Sequence, residues 1–202
     1  MKTKLRMLFF TAIALILIVT LSSCNQKEET SSGFIKEYKT TTGKSIIVSE
    51  THPLGKSLSN IRINTRDLDH NFSEEFFNKD PITDILIVDL DANGFDEIYI
   101  ITSSADSGSF GNVLGFASNR DKSLSIINFP GVDSTNNIFD GYMGHDSFFI
   151  ENNKLIRTFP IIKVGDINAK TTEVKRKLIY GLYPGEAMWQ LKIDKSENMK
   201  NP

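Results

Sequence analysis

Apolar and polar positions alternate along most of the chain in short runs rich in β-branched and aromatic residues. Such runs are "SIIVSE" (45–50), "LSNIRINT" (58–65), "ITDILIVDL" (82–90), "EIYIIT" (97–102) and "NVLGFAS" (112–118). The series continues with "LSIINF" (124–129), "SFFIE" (147–151), "KLIRTFPI" (154–161), "RKLIYGL" (176–182) and "AMWQLKI" (187–193). Each has the period and composition of a strand. Turn-forming clusters lie between them, among them "DANG", "GVDSTNN", "ENN" and "YPGE". In "ENNK" two adjacent asparagines tolerate positive φ, which predicts a tight hairpin. Only "NFSEEFFNK" (71–79) reads as a helical turn, with Ser73 as its N-cap. The pattern predicts an all-β fold, an antiparallel β-sandwich of about eight to ten strands with at most one short helix.

The ends differ from this body. Lys2, Lys4 and Arg6 precede the apolar run "LFFTAIALILIVTL" (8–21), the layout of a signal peptide over residues 1–23. The run closes in "LSSC", and Cys24 is the only cysteine in the chain. This resembles a bacterial lipobox, which implies lipidation at Cys24 and a lipid-anchored protein of the outer membrane, periplasmic or surface-exposed. A lone thiol has no disulfide partner, which agrees with lipidation. Residues 24–33 form the lipidated cysteine and a polar tether, and "NQKEET" within it resembles the export tag of surface lipoproteins. The folded domain is expected over 34–195. The polar segment "DKSENMKNP" (194–202) is expected to fray, with 196–202 as a flexible tail.

Cleavage before Cys24 would remove three basic residues and no acidic ones. Of the 23 Lys+Arg, 20 would remain against 25 Asp+Glu, a net charge of about −5. No basic stripe is present to neutralise phosphates, so nucleic acid is not an expected partner. A negative surface would instead attract and steer a basic protein.

Residues 89–97, "DLDANGFDE", place Asp89, Asp91, Asn93, the backbone of Phe95 and Glu97 at alternate positions, with Gly94 where a calcium loop turns sharply. A Ca²⁺ ion is one reading. The favoured one is a β-turn whose Asp and Asn side chains satisfy their own backbone, with Glu97 alternating outward at the start of a strand. The bidentate acid of a full EF-hand loop is missing, because Ile100 stands at that position.

No nucleophile elbow, zinc-protease motif or phosphate-binding loop occurs. His52, His70 and His145 lack ligand spacing, and Asp146 beside His145 could orient its imidazole but more simply belongs to a turn. No catalytic residue is assigned, and the chain is expected not to be an enzyme.

Two regions carry a resemblance. "DLDANGFDEIYIITSSADSGSFGNVLGFA" (89–117) is similar to the core of the bacterial periplasmic inhibitors of I-type (invertebrate-type) lysozyme. "GYMGHDSFFIENNKLIRTFPIIK" (141–163) and "KRKLIYGLYPGEAMWQL" (175–191) are similar to that family's second half. The match spans about residues 80–193. It implies a β-sandwich inhibitor whose loop 104–111, "SADSGSFG", enters the lysozyme cleft and covers its carboxylates. The inhibitory residues would be Ser107, Gly108, Ser109, Phe110 and Gly111, with Tyr142 and His145 as further contacts and a homodimer as an allowed state. The family prefers Tyr where this chain has Phe110. That exchange removes a hydroxyl whose bond to a carboxylate is worth about 1.5–3 kcal/mol. A plug of this kind needs a narrow backbone, hydroxyl donors and one apolar anchor, and the loop contains all three.

Overall fold

The computed structural model describes residues 33–133, 135–162 and 171–200, the side chains of 171–173 excepted. Cys24, the signal segment and nearly all of the tether lie outside these residues. Twelve strands are formed among them. They are β1 (Ile35–Lys39), β2 (Ser45–Thr51), β3 (Ser59–Arg66), β4 (Ser73–Lys79), β5 (Ile82–Val88) and β6 (Glu97–Ser103). Then follow β7 (Gly111–Ser118), β8 (Leu124–Asn128), β9 (Ser147–Glu151), β10 (Lys154–Ile162), β11 (Thr171–Pro184) and β12 (Trp189–Lys200). One 3₁₀ turn, Asn137–Phe139, is capped by the Asn136 side chain, which accepts from the Ile138 amide.

Strands β1–β4 form a meander in chain order, and the other eight form a second sheet ordered β5-β6-β7-β8-β12-β11-β10-β9. All pairs are antiparallel except the short β8–β12 junction, which is parallel. The fold is an all-β sandwich, with more strands than the pattern alone predicts.

Side-chain period explains how the layers stack. On β6, Ile98 and Ile100 face Ile46, Val48, Ile61 and Ile63 of the small sheet, while Tyr99 and Ile101 face the opposite way. Strand β7 does the same, with Phe116 on one side and Val113 and Ala117 on the other. Strands covered on both faces need no polar phase, which is why "ITDILIV" and "EIYIIT" are nearly continuous apolar runs. The second core joins Tyr99 and Val113 to Leu155, Phe159, Leu178 and Tyr180. These lie on strands far apart in the sheet order, so the eight-stranded sheet coils over its own face.

Three expectations are corrected. Residues 73–79 form β4 rather than a helical turn. Glu75 pairs with Arg62, Phe76 with Ile61 and Ser73 with Asn64 across to β3, and Phe76 packs edge-on against Phe116. The 194–202 tail does not fray at its start, because β12 pairs with β11 as far as Lys200. Its outer end is polar and exposed, so backbone pairing rather than burial holds it. Glu97 points inward and is fully buried. The "ENNK" hairpin forms as expected, with Asn152 and Asn153 at φ 50° and 54°.

Candidate functional site

Loop 104–110 links β6 to β7 and is braced by its own polar groups. One Asp106 oxygen, Oδ1, accepts from the Ser104 hydroxyl at 2.9 Å and from the Gly108 and Ser109 amides at 2.9 and 3.1 Å. Ser104 Oγ in turn accepts from the Phe110 amide at 2.8 Å, and the Ser104 amide donates to the Phe110 carbonyl at 2.9 Å. Asp106 directly precedes the Ser107–Gly108 step, the place of a turn former, although the loop's composition alone draws attention to the residues after it. It preorganises the loop. Ser107 is exposed at the tip, and none of the hydrogen bonds among the described residues uses its hydroxyl. Ser109 is partly covered and takes φ 44°, a left-handed conformation that the surrounding bonds hold.

Phe110 is 40% exposed. One side of its ring lies over Gly108, where a Cβ would sit 2.4 Å from the ring, and its edge meets Tyr142 with centroids 5.9 Å apart. The rest faces solvent beside a pocket of about 410 Å³ lined by Phe129, Val132, Tyr142 and Arg157 among others. The two glycines therefore have separate uses. Gly108 admits the Phe110 ring, while Gly111 admits Asp146 and Phe148, whose atoms would lie 2.7 and 2.6 Å from a Cβ.

The structure brings the second predicted segment onto this loop. The His145 amide donates to the Gly108 carbonyl at 2.6 Å, and the Gly111 amide donates to Asp146 Oδ2 at 2.8 Å. Gly144 is at φ +84° with its Cα so close to Gly108 that a Cβ would fall 2.0 Å from the carbonyl oxygen. Tyr142 and His145 thus share one end of the sandwich with residues 107–111. The His145 ring is exposed there and is not oriented by Asp146, which turns inward.

Beneath both loops lies a buried ion pair that the sequence reading missed. Arg157 Nε donates to Asp146 Oδ1 at 2.6 Å, and the two side chains are 1% and 0% exposed. Tyr142 donates its phenol to Asp146 Oδ2 at 2.6 Å and accepts from the Arg157 guanidinium at 2.7 Å. Burial, reinforced by the bond to Asp146, holds the Tyr142 phenol above its ordinary range, so it remains a donor. The guanidinium also lies 5.0–5.9 Å from the ring centroids of Phe129, Phe139, Tyr142, Phe148 and Phe159. Parity was the available signal. Arg157 is in phase with Leu155 and Phe159 along β10, and Asp146 is in phase with Phe148 and Ile150.

At the β5–β6 turn, the Asp and Asn side chains bind backbone as a turn requires. Asp89 accepts from the Asn93 and Gly94 amides at 3.0 and 2.8 Å, Asp91 from Asn93, and Asn93 from the Phe95 amide at 2.8 Å. Glu97 Oε2 accepts from the Leu90 amide at 2.8 Å. Burial above all pushes the Glu97 carboxyl up to about 8. The Leu90 amide partly offsets this, and Asp91, Asp89 and Asp96 add repulsion.

Compared with known proteins, the chain matches no family model, no curated protein and no solved structure.

Proposed function

We propose that this is a non-enzymatic inhibitor that occludes the active-site cleft of a lysozyme, I-type by resemblance, with loop 104–111. One observation carries the reading. An exposed Ser107 hydroxyl without a partner among the described residues and a half-exposed Phe110 ring project from a loop whose amides at 104 and 108–111 are all hydrogen-bonded. Rigid presentation matters because a plug ordered before binding loses little entropy on association. Glycosidase clefts of this kind hold two carboxylates, to which a serine hydroxyl can donate. Phe110 anchors on apolar cleft wall, and Tyr142 and His145 extend the contact on the same end. The acidic mature chain attracts a basic enzyme. Lipidation at Cys24 tethers the inhibitor to the outer membrane, where it shields the cell wall.

The test is an inhibition panel of purified protein against several lysozyme classes. Ser107→Ala is expected to weaken inhibition at least about tenfold, because a buried carboxylate loses its donor. Phe110→Tyr is expected to preserve or improve it. Absence of inhibition of every class at micromolar protein would overturn the proposal.

A further inference from the structure

At the opposite end of β6 lies a cluster of carboxylates with no cation to balance it. Asp89, Asp91 and Glu97 each present an oxygen within 4.8 Å of the others. Among the described residues, no lysine or arginine forms an ion pair with any of the three. The turn's hydrogen bonds account for the two aspartates, but not for Glu97. Its side chain is 0% exposed, and Oε1 has no hydrogen-bond partner while Oε2 is held by the Leu90 amide. A buried carboxylate oxygen without a donor is costly unless something else supplies positive charge.

We propose that the β5–β6 turn binds a calcium ion through Asp89, Asp91 and Glu97. The dimensions suit it. Ligands about 2.4 Å from a central ion can be at most about 4.8 Å apart, a bound that all three oxygens meet. The donors are all hard oxygens, with neither His nor Cys in the group, which disfavours zinc and other soft-ligand metals. Calcium is favoured over magnesium because three carboxylates on a nine-residue turn do not enforce a strict octahedron, and calcium accepts irregular shells completed by water or turn carbonyls. Gly94 at φ +89° and Ala92 at φ 58° curl the chain so that the first two ligands face the third. The ion would supply the partner that buried Glu97 Oε1 lacks and fasten the start of β6, which makes it structural.

Thermal melting and titration calorimetry of the full chain, with CaCl₂ or with a chelator, test this. Calcium is expected to raise Tm by at least about 3 °C at saturation and to bind with Kd of about 10⁻⁵–10⁻³ M. Glu97→Gln keeps the shape and the acceptor for Leu90. It should melt in chelator at or above the wild-type temperature, yet lose the calcium response. Asp91→Asn, at a half-buried position of the turn, should weaken binding about tenfold. No shift and no binding heat at about 10 mM calcium would overturn the proposal. A wild-type calcium response in Glu97→Gln would equally overturn it, and an equal response to magnesium would overturn the choice of calcium.

Discussion

Arg157 occupies a position that the pleat of β10 reserves for apolar side chains. It is kept there by Asp146, by the Tyr142 phenol and by a surround of aromatic rings. Removing one member of a buried pair strands the other, so Arg157→Met is expected to cost about 3–5 kcal/mol in urea unfolding. Asp146→Asn in that background removes the stranded charge and should recover at least about 1 kcal/mol, a coupling that a double-mutant cycle reads directly. The neighbouring glycines separate stability from function. Gly108→Ala collides only with the Phe110 ring, which is exposed enough to swing aside. It should impair inhibition with little change in Tm. Gly144→Ala collides with backbone at positive φ. It should cost about 1–3 kcal/mol and loosen both loops.

Between elements, the two sheets are joined by apolar packing and also by buried carboxylates. Glu50 on β2 accepts from Ser59 at 2.6 Å and from the Ile82 amide at the start of β5 at 2.8 Å. Asp96 at the start of β6 accepts from the Thr41 amide and hydroxyl in the β1–β2 turn. Glu50→Ala leaves the Ile82 amide without its acceptor and should cost at least about 2 kcal/mol. Hydrogen exchange should then quicken first in β1–β4, and equal acceleration in both sheets would show that they open together. The strands legible in the sequence were those whose side chains enter a core. β1 carries no such signal, because only Tyr38 of its residues is more than marginally covered, and it is held by its ladder to β2. β4 reads as a helical turn with Ser73 as its N-cap, yet Phe76 packs inward while Phe77 is largely exposed on an edge strand. At the site, the loop residues were legible as composition. The Asp146–Arg157 pair beneath them spans the two arms of the β9–β10 hairpin, so the "ENNK" turn and strand parity put both side chains on one face, but hydropathy alone reads two charged residues there as exposed.

Across the whole molecule, β6 acts as a spacer between the two proposed sites. It runs from Glu97 in the carboxylate turn to Ser103 at the foot of loop 104–110. Six residue steps at about 3.3 Å place the ends roughly 20 Å apart. Both faces of this strand are packed, so β6 is among the most firmly held parts of the fold. A metal that fastens one end would therefore stabilise the protein without reshaping the loop, whose hydrogen bonds are to Asp106, Ser104, His145 and Asp146 and whose ring contact is to Tyr142, none of them in the turn. Chelation is expected to lower Tm while leaving the inhibition constant at 25 °C within about twofold, provided that temperature stays well below the metal-free melt. Ser107→Ala should show the reverse, weakened inhibition with an unchanged calcium shift. If chelation abolished inhibition in protein that remained folded, the two ends would be coupled through β6. The loop would then owe its shape to the ion as well as to Asp106.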